Sequence, residues 1–346
     1  MKEAMFWEKK DESKKIVQCH ICPRNCVIKE GQLGFCRARK NVDGTLYSIA
    51  YGKVANGLAI DPIEKKPFYH FLPGSTAMSF GTAGCNLRCS FCQNWEISQK
   101  SPDEIEAFNV DLAPEDIVEE AVRQGCDSIA YTYTEPTIFF EFVLDTAKLA
   151  KKRGIKNVIV SNGFINPEPR AEWSKYLDGA NIDMKGNDAF YRRVTDAWLK
   201  PVQDTIVDMK KRGVWVEVTT LIIPKENDDD AQIKELMDWF EKNVGYDTPW
   251  HFTGFYPCYK MMDNIPTPEK TLIDIRKKGL RRGFKYVYAG NILNVEANTT
   301  YCPHCKEALI TRVGFSVKEN KIKGGKCFNC KTKIDGLFST KKIKED

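Results

Sequence analysis

Short apolar runs alternate with longer amphipathic ones from Thr76 to Asn291, and few folds satisfy that pattern. It is the signature of repeated strand-helix units, in which parallel strands are joined by helical crossovers. The pattern predicts strands at 76–83, 128–134, 157–161, 180–185, 214–224 and 250–257, with 285–289 as a further strand at the edge. Helices fall between them. The stretch 114–124 opens on proline with acids in its first turn, and 230–244 carries Ile, Leu, Met, Trp and Phe on one stripe. Right-handed crossovers curl such a sheet toward a barrel, so the expectation is an α/β fold, a partial (β/α)6 TIM-like barrel with its chemistry at the strands' carboxyl ends.

At 346 residues the chain has room for one catalytic-sized domain and smaller appendages. The expected division is a cysteine-bearing lead-in over 1–75, the barrel over 76–298 and a small module with a basic tail over 299–346. No stretch approaches the roughly 18 consecutive apolar residues of a membrane span. The opening Met-Lys-Glu-Ala-Met-Phe-Trp-Glu-Lys-Lys lacks an apolar run or small-residue cleavage site, which points to a reducing, cytoplasmic setting. The 13 cysteines then mean metal or catalysis rather than disulfides. The net charge of +5 is concentrated in 301–346, where eleven Lys or Arg stand against five Asp or Glu. That surplus reads as a solvated surface or as a patch for an acidic partner or nucleic acid.

Eleven cysteines fall into three sets. Cys19, Cys22 and Cys26, with Cys36 after a Gly-rich approach, offer four soft ligands that suit either zinc or an auxiliary iron-sulfur cluster. Cys302-Pro-His-Cys305 and Cys327-Phe-Asn-Cys330 are two knuckles flanking an alternating apolar segment. They read as a zinc ribbon, with a rubredoxin-like iron as the other option, and so small a module needs its metal to fold. The third set, Cys85, Cys89 and Cys92 in Gly-Cys-Asn-Leu-Arg-Cys-Ser-Phe-Cys, is one ligand short of either centre. Of the two remaining cysteines, Cys126 reads as a buried structural thiol. Cys258 stands where the last of the six strands ends.

The carboxyl ends of the predicted strands carry these thiols together with Glu135, Ser161 and Asn162, Asp183 and Lys185, Glu217 and Thr220, and His251, Tyr256 and Cys258. One such residue has a packing or capping explanation. A common rim of Cys, Glu, Asn, Asp, Lys and His is harder to attribute to stability.

Cys85-x-x-x-Cys89-x-Phe-Cys92 on the loop after a first barrel strand resembles the Cys-x3-Cys-x-aromatic-Cys motif of radical S-adenosylmethionine (radical SAM) enzymes. The stretch from Asp61 through Pro-Ile-Glu-Lys-Lys-Pro-Phe-Tyr-His-Phe-Leu-Pro to Gly74, with the four-cysteine sets at both ends, is similar to the AmmeMemoRadiSam system radical SAM proteins, relatives of pyruvate formate-lyase activating enzyme. The resemblance implies a barrel of the radical SAM type and a 4Fe-4S cluster on Cys85, Cys89 and Cys92, whose open iron takes S-adenosylmethionine. Reductive cleavage of that cofactor to a 5′-deoxyadenosyl radical would then abstract hydrogen from a small-molecule, RNA or protein substrate.

Residue by residue, it implies Phe91 beside the adenine, Glu135 near the methionine amine, and Ser161 and Asn162 toward the ribose or carboxylate. Asp183 would hold a monovalent cation and Lys185 would line the site. His251 matches loosely as a cofactor contact and equally as a structural histidine. Cys258 is a candidate hydrogen-atom donor or substrate radical, beside its reading as a bystander. The resemblance also implies a ferredoxin- or flavodoxin-type electron donor, and AMME-domain and Memo-domain proteins as partners. The competing functions are an activating enzyme for a glycyl radical protein and a non-catalytic metal- or nucleic-acid-binding protein.

Overall fold

The computed structural model describes residues 1–339, so the end of the expected basic tail lies outside the described residues. One sheet of eight strands organises the chain. Its order from edge to edge is Val287–Gly290, Trp250–Gly254, Trp215–Ile222, Gly179–Asp183, Lys156–Ser161, Ser128–Tyr131, Thr76–Phe80 and Ala59–Pro62. The first seven are mutually parallel and adjacent in sequence order. The eighth runs antiparallel beside Thr76–Phe80. The six expected strands and the further edge strand expected at 285–289 are all present and parallel; the reversed strand on the other edge is the addition, and it starts the sheet inside the segment read as lead-in. Ala59–Pro62 escapes notice because it is short, carries an acid and ends in proline, all poor strand signals.

The crossover helices follow their sequence cues. Pro114–Arg123 begins with proline, and Asp116 reaches back to accept the Ala113 N–H at 2.8 Å. In Asp230–Asn243, the Asp229 side chain caps the N–H groups of Ala231 and Gln232, while Ile233, Leu236, Met237 and Phe240 are buried. Phe240 then stacks on Trp250 at 4.1 Å between ring centroids.

The opposite face of the sheet closes on residues 63–72 of the chain itself. Ile63, Phe68, Phe71 and Leu72 pack with Ala77, Ala130 and Val158. Asn181 donates to the Pro67 carbonyl at 2.9 Å, and the Glu217 carboxylate accepts from the N–H groups of Tyr69 (3.0 Å) and His70 (2.8 Å). Tyr69 meets the rings of His251 and Tyr288. One short segment thus touches strands across the whole width of the sheet, so the sheet curls round it as round a plug.

The C-terminal module docks beneath the plug, at the strands' amino ends. Its strands Thr300–Tyr301, Ala308–Val313 and Ser316–Asn320 form an antiparallel sheet. Arg312, fully buried, donates to the carbonyls of Tyr69 (2.7 Å) and Asn298 (3.1 Å) and to Thr300 Oγ1 (2.9 Å), and lies 3.5 Å from Glu64. Leu72 and Leu337 clasp the two segments through Leu72 N–H to Leu337 O (2.6 Å) and Leu337 N–H to His70 O (2.7 Å). Gly336 makes that clasp fit, because a Cβ there would stand 2.7 Å from the His70 carbonyl oxygen.

At the other end of the chain, Trp7–Asp11, Ile16–Cys19 and Val27–Ile28 form one small antiparallel sheet. Lys2–Glu3, Thr45–Ser48 and Arg39–Val42 form another. A buried Arg39–Glu141 ion pair (2.9 Å) and an edge contact of Phe6 on Phe140 fasten this region to the helix Phe140–Lys152.

Candidate active site

The three-cysteine loop follows Thr76–Phe80 and is pinned on both sides. Arg88 N–H and Ser90 N–H donate to the carbonyls of Thr195 (2.9 Å) and Val194 (3.0 Å). Buried Asn86 donates to Phe164 O at 2.8 Å and accepts from Asn162 Nδ2 at 2.8 Å. Gly84 enters the loop at φ +99°, and a Cβ on it would stand 2.4 Å from the Cys36 carbonyl oxygen. Only glycine allows that approach.

Cys85, Cys89 and Cys92 line a cavity of about 450 Å³, shared with Phe91, Asn162, Asp183 and Lys185. Seven of the predicted site residues therefore meet in one place, at the carboxyl ends of the strands. Asp183 and Lys185 pair at 2.7 Å, with the Lys185 ammonium 5.8 Å from the Phe91 ring centre. Their backbone is held by Tyr191 OH, which donates to Asp183 O (3.0 Å) and accepts from Lys185 N–H (3.1 Å). Burial pulls the Lys185 pKa down, but Asp183 and Cys89 outweigh it and raise the value, so the ammonium stays charged inside the cavity.

The thiols meet the opposite situation. Burial pushes Cys89 up to about 12 with Lys185 opposing, and burial with the Glu135 charge raises Cys85 well above its usual value. Cys85 and Cys89 become thiolates at neutral pH only when a strong positive centre joins them, which is what iron supplies. Their spread also suits a cluster. Among the described residues, the only three or more potential ligands gathered within 4.8 Å of one another are Cys302, Cys305, Cys327 and Cys330, so the loop sulfurs stand farther apart than one tetrahedral ion allows. Three thiols on an open cavity fit a 4Fe-4S cluster with one iron left for a ligand.

Other expected site residues lie elsewhere. Glu135 and Ser161 are fully buried in the wall behind the cavity. Glu135 accepts from Thr137 N–H (2.9 Å) and Oγ1 (2.7 Å), Ser161 Oγ (2.8 Å) and Asn162 N–H (2.8 Å). It orients Asn162 rather than facing the cavity. His251 does not reach the rim. As the second residue of its strand it sits at the base, 2.7 Å from Glu217 and stacked on Tyr288. Glu217 is corrected with it, since its carboxylate anchors the plug. Cys258 Sγ lies outside the cavity and donates to Cys92 O at 3.4 Å, while Tyr259 stacks on Trp95 and Lys260 N–H reaches Ser90 O.

Three residues missed in the sequence line the cavity too: Lys65, Lys66 and Tyr133. Lys66 and the Tyr133 hydroxyl both engage Asp61, at 2.6 and 2.9 Å, and Tyr133 takes φ +66°. The available signal was two adjacent lysines just ahead of the aromatic run Phe68-Tyr-His-Phe71.

The four C-terminal sulfurs could hold one metal ion. Cys302 and Cys330 lie 3.5 Å apart and Cys305 and Cys327 3.7 Å apart, at the base of the sheet. Cys19, Cys22 and Cys36 are buried and Cys26 half-buried, in the region that abuts the three-cysteine loop.

The profile of the Radical SAM superfamily matches residues 80–239. An uncharacterized protein of Methanocaldococcus jannaschii is 47% identical over 337 residues, covering 97% of this chain and 99% of its own. Pyruvate formate-lyase-activating enzyme of Clostridium pasteurianum is 27% identical over 165 residues, 44% of this chain and 64% of that enzyme. Among solved structures, a radical SAM methyltransferase from Sphaerobacter thermophilus superimposes with a TM-score of 0.49 at 13% identity, covering 66% of this chain and 70% of its own.

Proposed function

This chain belongs to the radical SAM superfamily, and we propose that its cavity binds S-adenosylmethionine beside a 4Fe-4S cluster on Cys85, Cys89 and Cys92 and performs hydrogen abstraction on a separate substrate. The observation that carries the reading is the convergence of exactly these three thiols, with no fourth cysteine among the cavity residues, on a space also lined by Asn162, Asp183 and Lys185. When bound, the cluster and cofactor supply one-electron cleavage of the sulfonium and a 5′-deoxyadenosyl radical. The chain's own residues orient and shield. Phe91 offers an aromatic face, Asn162 a side-chain amide held by Asn86 and the Phe164 N–H, and Asp183 a carboxylate that balances Lys185 or a monovalent cation. Lys185 stays protonated and so favours an anionic group, such as the cofactor carboxylate. The cavity's size is in the range that holds one cofactor and a small reacting group.

Zinc at Cys302, Cys305, Cys327 and Cys330 is the second element of the proposal, since paired knuckles with sulfurs this close suit one tetrahedral ion. An external ferredoxin- or flavodoxin-type donor, AMME-domain and Memo-domain partners, and a reducing cytoplasmic setting complete it. A second reading, activation of a glycyl radical protein, draws on the similarity to the Clostridium enzyme. The two separate by product: a partner backbone radical gives an electron-paramagnetic-resonance doublet, whereas a modifying enzyme leaves a changed substrate.

The test is anaerobic reconstitution followed by assay of 5′-deoxyadenosine under strong reduction. Formation by the native chain and its loss in Cys89→Ala support the proposal. A reconstituted, iron-loaded chain that leaves S-adenosylmethionine intact sinks it.

A further inference from the structure

Two four-cysteine sets share one ligand type and differ in how their sulfurs are arranged. In the C-terminal set all four lie within 4.8 Å of one another, and no three of Cys19, Cys22, Cys26 and Cys36 do so among the described residues. A single tetrahedral ion at a metal-sulfur distance near 2.3 Å draws its ligands to about 3.8 Å apart. A cubane places each thiolate on a different iron, so the sulfurs stand apart by the width of the cluster. Neither the N-terminal set nor the three-cysteine loop has three sulfurs gathered within 4.8 Å of one another among the described residues.

The surroundings ask for an anionic group. Arg39 is 1% exposed and uses only Nη2 on Glu141, leaving its buried Nε and Nη1 without a partner. Its backbone lies beside the set, since a Cβ on Gly34 would meet the Arg39 carbonyl oxygen at 3.8 Å and Cys36 Sγ at 4.0 Å. Unpaired guanidinium N–H groups in a dry site are costly unless an acceptor is missing from view, and cluster sulfides and thiolates are such acceptors.

The placement adds a purpose. Phe35 and Cys36 lie directly against the three-cysteine loop. The Cys36 carbonyl oxygen occupies the space a Gly84 side chain would need, Arg88 bridges Phe35 O to Cys85 O (2.8 Å to the latter), and Arg24 donates to Asn86 O at 2.6 Å. Both guanidiniums sit on the Phe35 ring, 3.4 and 4.1 Å from its centre.

We propose that Cys19, Cys22, Cys26 and Cys36 hold a second iron-sulfur cluster, a four-iron cubane, which relays single electrons to the centre on Cys85, Cys89 and Cys92. A low-potential protein donor of the ferredoxin or flavodoxin class reduces the N-terminal cluster by one electron. The same electron then passes to the loop's cluster, reoxidising the first, and no atom moves. The relay rests on the function proposed above; the cluster's presence does not.

The experiment is anaerobic reconstitution of the full chain and of the triple variant Cys85→Ala, Cys89→Ala, Cys92→Ala, followed by metal and sulfide analysis and electron-paramagnetic-resonance spectroscopy after reduction. The expected result for the triple variant is retention of about four iron and four sulfide per chain with a reduced-cluster signal. Cys22→Ser with Cys36→Ser should remove half of the wild-type iron. If that pair fails to fold, Cys26→Ser, at the half-buried position, should alter the spectrum that the triple variant retains. A triple variant that carries zinc in place of iron and sulfide at this site overturns the proposal while leaving the function intact. A wild-type chain with both clusters that does not cleave S-adenosylmethionine overturns the function and leaves this cluster standing. Reduction of the loop's cluster by flavodoxin at an unchanged rate in a folded variant lacking the N-terminal cluster overturns the relay.

Discussion

The two ends of the sheet are built on opposite principles. At the amino ends the chain plugs the curl itself: residues 63–72 fill it, and Arg312, Glu217 and His70 hydrogen-bond within the protein across the plug. At the carboxyl ends the chain leaves a cavity of about 450 Å³ lined by three thiols, and burial works against the ionisation of Cys85 and Cys89. The curl is plugged by the chain's own side chains, whereas the rim is complete only with what it binds. Substitutions at the base should therefore cost stability, and those at the rim activity.

The sharpest break of that comparison would come from the rim. Cys89→Ala should abolish 5′-deoxyadenosine formation, measured by chromatography, while the chain still unfolds in one cooperative transition. At the base, Arg312→Ala should lower stability by about 3–5 kcal/mol in denaturant titration, because Glu64 is left as a buried, uncompensated charge. Adding Glu64→Gln should recover part of that loss, which a double-mutant cycle reads directly.

Acid should attack the base next. Burial holds His70 down at about 4, against an ordinary value of 6.5. The unfolded chain takes up that proton first, so the neutral imidazole's contribution is fully present above about 6.5 and is lost as pH falls toward 4, by about 3 kcal/mol in all. Unfolding midpoints measured across this window should fall, and His70→Gln should flatten the slope. Glu217, whose carboxyl lies below its usual range because the hydrogen bond and charge of His251 overcome burial, adds its own loss only below about 4.5. The smallest effect is expected for Cys258→Ser, which should change stability by less than about 1 kcal/mol and leave S-adenosylmethionine cleavage in place, since its one recorded bond is a long thiol contact to Cys92 O.

Sequence reasoning did best where a pattern is local. The parallel strands announce themselves by apolar runs of the right length, and the spacing of Cys85, Cys89 and Cys92 survives any error in element boundaries. Direction and depth were harder to read. His251 and Glu217 belong to strands that end at the rim, yet both sit near the amino ends, and a strand's alternation tells the face of a side chain but not its height along the barrel. Glu135 reads as a site acid because it follows a strand. Its carboxylate is turned away by four donors, two of which, Ser161 and Asn162, come from the end of the next strand and the residue just after it. The plug lay in plain view as Phe68-Tyr-His-Phe71, but its partners are supplied by seven different strands and by the C-terminal module, so nothing nearby in sequence could reveal it.

The clasp between the plug and the C-terminal module also sets an order of events. His70 and Asp335 meet across 265 residues, among the most distant contacts in the chain. Loop closure over such a span is entropically slow to be rewarded. During synthesis Phe68 and Phe71 emerge long before the residues that roof them, so the barrel's floor is finished last. With Cys302, Cys305, Cys327 and Cys330 placed to hold one ion in that floor, withholding metal during refolding should leave molecules with an intact rim and an open floor, read as exchange-labile amides confined to the C-terminal module and residues 63–72.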